Sequence, residues 1–277
     1  MNLPFIFLFD INNTIIGNIG HQNNEYKILE LINPSLIKNY DITEDLKFGL
    51  LRPNFKDFIE FIKNKYKNVE IYVYTNSSYL WTNNVVIHNI EKVIECKINE
   101  PYFTRDDSNN HNKLLGNIYD NIIINLISKY PLLKQDKYKE YVFQNQLVFI
   151  DDIKDNLKDY PQKQILCPKY NYRDCYDIKA NLINKLQIKE IEFEKKEVLD
   201  YFNDKWIPIY STNGSIYQQD KIYQHILQLL LVRKTELLNN DDNFFKSLIS
   251  ILEKEEKLIL DDKMILNINE KLNINNK

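Results

Sequence analysis

Five consecutive apolar residues, Phe5-Ile6-Phe7-Leu8-Phe9, stop at a carboxylate, Asp10. An apolar run without alternation suits a strand buried on both faces, and a parallel sheet between helical layers is the setting that buries both. A carboxylate buried unpaired costs several kcal/mol, so Asp10 belongs at the strand's carboxyl end, where open α/β sheets keep their ligand crevice. Taken by itself, the stretch through Asn12, Asn13 and Thr14 also reads as a strand followed by an Asx-rich turn. A second run, Gln146-Leu147-Val148-Phe149-Ile150, ends in two adjacent acids, Asp151 and Asp152. Neighbouring carboxylates repel unless a cation sits between them, and hard oxygen donors select Mg²⁺.

Length and charge narrow the classes. With 277 residues, 44% of them hydrophobic, the chain can build two domains of unequal size. A net charge of -3 and a pI near 5.9 give no general attraction to a polyanion, so nucleic acid is an unfavoured partner. Cys96, Cys167 and Cys175 form no C-x-x-C pair, and with four His they suggest neither a disulfide framework nor a zinc site. A reducing cytosol or nucleus fits. The apolar start lacks a basic flank and is too short before Asp10 for a signal segment or a membrane span. No G-x-x-x-x-G-K-(S/T) occurs, so phosphate would be held by something other than a P-loop.

Along the chain, residues 17–51 are polar and irregular, with a turn at His21 to Asn24 and a short helix from Tyr26 to Tyr40 interrupted by Pro34. Phe55, Phe58, Ile59 and Ile62 at i, i+3, i+4 and i+7 predict an amphipathic helix with Pro53 near its first turn. Strands are expected at 4–10, 69–75, 92–98, 146–151 and 164–167, in a parallel sheet with right-handed crossovers. Beyond residue 188 the pattern is helical and charged, with helices at Lys189–Trp206, Gln219–Leu238 and Asn243–Leu260 and a frayed end from Asn267. The reading divides the chain at 1–188 and 189–277, the second part being a helical extension that packs on the sheet domain, binds a partner or dimerises.

The stretch from Phe5 to Thr14 resembles motif I of the haloacid dehalogenase superfamily, hhhhDxDx(T/V), whose first Asp attacks phosphorus. Position 12 departs from it, being Asn. Val69 to Ser78 resembles motif II, with Thr75 and the backbone N–H of Asn76 at a strand end to hold a phosphoryl oxygen. Three further stretches resemble the NLI-interacting-factor-like (FCP/SCP-type) phosphatases, which act on the RNA polymerase II tail. They are Arg52-Pro53, Phe103-Thr104-Arg105, and Asn112-Lys113-Leu114-Leu115, the last being similar to their V-K-D-L element. Asp151-Asp152 with Asn156 resembles motif IV. The likeness spans residues 3–190.

The resemblance implies an α/β, haloacid-dehalogenase-like Rossmannoid parallel sheet with a small cap or none, an open site and a protein substrate or partner. It implies a phosphoryl transfer to Asp10, with Mg²⁺ held by Asp10, the Asn12 carbonyl and Asp152, and with Asp151 in support. Thr75 and Lys113 would hold the phosphoryl oxygens, and Thr14, Asn76 and Arg105 would contact the substrate. The family's residue at position 12 protonates the leaving group and then activates water, neither of which an amide can do. Two readings therefore stand side by side: an active phosphatase, and a pseudo-enzyme that keeps the fold for binding or assembly.

Overall fold

The computed structural model describes residues 2–109, 112–172, 178–206, 242–256 and 259–272. It is an α/β structure whose sheet has four parallel strands in the order β2-β1-β3-β4: β1 Phe5–Phe9, β2 Val69–Val73, β3 Leu147–Asp151 and β4 Gln164–Leu166. This is a Rossmann-like arrangement. The chain forms two compact units, one of residues 1–17, 43–171 and 242–277, the other of residues 18–42 and 172–241.

In the sheet unit, β1 lies between β2 and β3 and is buried throughout, as its unbroken apolar run predicts. Its side chains divide between two layers. Phe5 lies against Tyr66 at a tilt, Phe7 meets Phe58 edge-on and Phe9 meets Phe55, which places the helix Phe55–Lys65 over that face. Phe245, on the helix Phe244–Glu253, packs against Phe55 and Phe58 with ring centroids 5.1 and 5.2 Å away. Ile6 and Leu8 join the opposite core with Tyr72, Phe149, Ile118 and Ile122, the last two from the helix Leu115–Leu126. The helix Asp262–Lys271 lies at the outer edge. There the Asn269 amide accepts from Leu166 N–H at 3.0 Å and donates to the Gln164 carbonyl at 2.9 Å, pairing the backbone that edge strand β4 would expose.

Four of the expected strands form and the one at 92–98 does not. The helix His88–Ile94 occupies its start, burying Ile90, Glu91 and Ile94 in line with Ile87 just before it, at helical spacing. The β-branched pair Val93-Ile94 resembles a strand locally, but the buried stripe begins upstream of it. Glu95, at φ 55°, closes the helix, and the Glu91 carboxylate then accepts Ile98 N–H at 2.8 Å. Only farther on does the chain run beside β2, with Asn99 N–H on the Ile71 carbonyl and a bridge between Tyr74 and Phe103.

In the second unit the turn expected at His21 to Asn24 is replaced by the helix Gly20–Ile32, which buries His21, Gln22, Glu25, Ile28, Leu29 and Ile32. Its first buried positions are polar, so hydropathy alone hid the stripe. Residues 34–39 form a 3₁₀ segment after Pro34. The stretch 189–206 is a 3₁₀ turn at Glu190–Glu194 and a helix Lys196–Trp206. The helix expected at 219–238 lies outside the described residues. The end expected to fray from Asn267 is helical to Lys271, in a helix whose Asp261 caps Met264 N–H at 2.8 Å, and residues 273–277 lie outside the description. Among the described residues no helix is long and apolar enough to cross a membrane.

Candidate active site

Parallel pairing decides where the acids fall. Phe9 is in register with Ile150 on one side and with Val73 on the other, so Asp10, Asp151 and Thr75 all emerge at the same carboxyl edge of the sheet. Asp10 N–H continues the ladder to the Ile150 carbonyl at 2.9 Å, and Thr75 N–H donates to the Phe103 carbonyl at 2.9 Å. Carboxylate oxygens of Asp10, Asp151 and Asp152 lie within 4.8 Å of one another.

Lys113 reaches this cluster from the segment just before the helix Leu115–Leu126. Its side chain is buried, with Nζ 2.6 Å from Asp10 Oδ1 and 2.8 Å from Asp151 Oδ2. The Phe149 ring lies 5.0 Å from the same ammonium. Backbone bonds fix it: Lys113 N–H donates to the Asn156 carbonyl at 3.2 Å and its carbonyl accepts Lys158 N–H at 3.1 Å. Two residues after Lys113, Leu115 donates its N–H to Asp159 at 2.9 Å, and Gly116 N–H does so at 2.8 Å, which caps the helix that Lys113 precedes. We expect Asp159→Ala to cost about 1–2 kcal/mol, read as a shift in the denaturant midpoint, because two helix N-terminal donors lose their anionic acceptor.

Asp151 is fully engaged. Its Oδ1 accepts Ile153 N–H at 2.7 Å and its Oδ2 accepts from Asn156 Nδ2 at 2.8 Å as well as from Lys113. Thr14 ties the two strand ends together. Its hydroxyl accepts Asp152 N–H at 3.1 Å and lies 3.2 Å from Asp152 Oδ1 and 3.4 Å from Asp10 Oδ2, so its one proton serves either acid. It reaches that point because Asn13 adopts φ 59°, a left-handed turn that Asn tolerates, and Ile15 and Ile16 N–H both fold back on the Ile11 carbonyl at 3.0 Å.

Three carboxylates share one ammonium, and the electrostatics follow. Burial, followed by the Asp151 and Asp152 charges, works against the Lys113 attraction and raises the Asp10 carboxyl to about 7. Asp152 is raised by burial and by the Asp151 charge. Burial alone would lower the Lys113 ammonium, but Asp10 and Asp151 outweigh it and hold it above its ordinary value. The cluster is short of positive charge. A divalent cation could be held there, and an all-oxygen donor set suits a hard one.

The remaining predicted residues form a second group. Asn12 Nδ2 donates to Ser77 Oγ at 2.8 Å, while its Oδ1 is buried with no hydrogen-bond partner among the described residues. Ser77 N–H lies 3.4 Å from Thr75 Oγ1, and the Ser77 carbonyl accepts Arg105 N–H at 3.0 Å. Arg105 Nε donates to the Asn76 carbonyl at 2.9 Å. The loop after β1 and the loop after β2 are thus joined through Asn12 and Ser77.

Several participants were given no role by the sequence, although Asn156 and Arg52 stand in stretches that carry the resemblance. Asn156 follows Asp151 at the D-D-x-x-x-N spacing, which was a usable signal. Ser77 sits two residues after Thr75 without a distinguishing pattern. Cys167, buried with its thiol raised to about 12 by that burial, places Sγ 3.8 Å from Thr14 Oγ1. Asp159 and Arg52 act from elements that only folding brings near. In comparisons with protein families, curated proteins and solved structures, nothing matches this chain.

Proposed function

We propose that this chain is a Mg²⁺-dependent phosphoester hydrolase of the haloacid dehalogenase type, working through an aspartyl-phosphate on Asp10. The observation that carries the reading is the meeting of Asp10, Asp151 and Asp152 around the buried Lys113 ammonium at one sheet edge. Support for a phosphoprotein substrate comes from the resemblance of Arg52-Pro53, Phe103 to Arg105 and Asn112 to Leu115 to the FCP/SCP-type phosphatases.

The residues present fit a metal, because three carboxylates face one internal cation. Asp10, Asp152 and the Asn12 backbone carbonyl would hold Mg²⁺, which when bound would add positive charge beside the phosphoryl oxygens. Asp151, saturated by Lys113, Asn156 and Ile153 N–H, serves to hold Lys113 in place. Lys113 and the Thr75 hydroxyl with the Asn76 N–H would receive the phosphoryl oxygens. An Asp10 oxygen attacks phosphorus as the bond to the leaving oxygen breaks, and the leaving group departs as its oxyanion and takes a proton from solvent. Water then attacks the same phosphorus, the Asp10–phosphorus bond breaks, the water proton passes to solvent, and inorganic phosphate leaves with Asp10 a carboxylate again.

Asn12 favours a second reading, a catalytically impaired relative kept for binding. Its amide donates to Ser77 and has no proton to give to a leaving group. The two readings separate in one experiment. The wild type, given Mg²⁺ and an aryl phosphate whose leaving group needs no proton, should release phosphate slowly and carry phosphate on Asp10 by mass spectrometry. Asp10→Asn should show neither. If wild type and Asn12→Asp are both inert and bind no Mg²⁺, the enzyme reading is lost and the binding reading stands.

A further inference from the structure

Arg52 is a full charge inside the sheet unit, 1% exposed, where arginine is rarely found unless paired. Its guanidinium is used in three directions. Nε and Nη2 form a bidentate pair with Asp242 Oδ1 and Oδ2, both at 2.9 Å, across 190 residues of chain. Nη1 donates to the Thr14 carbonyl at 3.1 Å, and the plane lies 4.7 Å from the Phe244 ring centroid. Its own N–H donates to the Ile15 carbonyl at 2.9 Å. Thr14 is the residue whose hydroxyl lies between Asp10 and Asp152, and its β-branched side chain is stiff at χ1, so backbone placement sets hydroxyl placement.

We propose that Arg52 is a positioning residue for the Asp10 and Asp152 pair, acting through Thr14, and that Asp242 holds the guanidinium in that pose. This rests on the metal-site reading above. Without Asp242 a buried guanidinium lacks its counter-ion, and its pose on the Thr14 carbonyl is no longer fixed. Lysine cannot replace it, because a point charge cannot span a bidentate carboxylate and a carbonyl at once.

The test uses the full chain, well below its melting temperature, with two readouts. One is Mn²⁺ affinity by electron paramagnetic resonance. The other is hydrogen exchange at the Asp152 amide by NMR, since Thr14 Oγ1 is that amide's acceptor. Arg52→Lys and Asp242→Asn should each weaken Mn²⁺ binding and speed that exchange by about tenfold or more. Arg52→Lys combined with Thr14→Val should be no worse than Thr14→Val alone, the non-additivity of residues acting in series. Effects that multiply, or an Asp242→Asn variant that melts earlier with both readouts unchanged, would overturn the proposal. If the wild type binds no Mn²⁺, the metal reading falls by itself. Exchange at Asp152 then decides the role of Arg52, acceleration keeping it and an unchanged rate overturning it.

Discussion

Lys113→Met should lower the stability of the metal-free chain by about 3–5 kcal/mol, the usual penalty for stripping a buried ion pair of one partner. Here the penalty falls on two pairs at once, since the one ammonium lies 2.6 Å from Asp10 and 2.8 Å from Asp151. The methionine fills the same space beside Phe149, so lost packing is a small part of the change. Mg²⁺ should recover part of the loss, because a ligand that binds only the folded state adds stability as its concentration passes Kd, about 2.7 kcal/mol at a hundredfold excess over Kd. Urea unfolding of both proteins, in chelator and in millimolar Mg²⁺, measures the two effects. A variant within about 0.5 kcal/mol of the wild type, insensitive to Mg²⁺, would mean that the acids are protonated and uncharged in the fold.

Asn12→Asp should raise turnover of an alkyl phosphoester such as a phosphoserine peptide by roughly 10²–10⁴-fold, the contribution of a positioned general acid and base. The site can take the change. Ser77 Oγ, now the acceptor of the Asn12 amide, can rotate its proton to become the donor to a carboxylate. The present Oδ1 is buried with no partner among the described residues, so a carboxylate there would sit in a desolvated place that raises its affinity for a proton, as a leaving-group acid requires. Steady-state phosphate release, together with the lifetime of phosphorylated Asp10 by quench and mass spectrometry, reads both half-reactions. The aspartyl-phosphate should persist in the wild type and clear quickly in the variant. Equal rates in the two proteins on both an aryl and an alkyl ester would show that position 12 has no part in proton transfer.

The buried strands were legible because burial on two faces leaves no freedom of composition. Phe5–Phe9 and Leu147–Asp151 had to be continuous and apolar, and the carboxylate ending each had to lie at an edge. The strand expected at 92–98 failed for the complementary reason. A short β-branched pair is consistent with either element, and the choice fell to the helical stripe of Ile87, Ile90, Glu91 and Ile94. Polar residues inside the core misled the reading at His21 and Gln22, whose burial belongs to a helix that hydropathy does not reveal.

By itself the sequence determined the parallel sheet and named the acids at its carboxyl ends, since local periodicity and the cost of burying charge act within a few residues. Only the tertiary structure decided which groups those acids meet. Lys113 is 103 positions from Asp10, Thr14 is 138 from Asp152, and Arg52 is 190 from Asp242. Pairings at such separations leave no local pattern, because each is fixed by the register of β1 between β2 and β3 and by the helices packed on them. A lysine, a threonine and an arginine that only the resemblance had singled out in the chain are brought by the fold to the acids and to the backbone beside them.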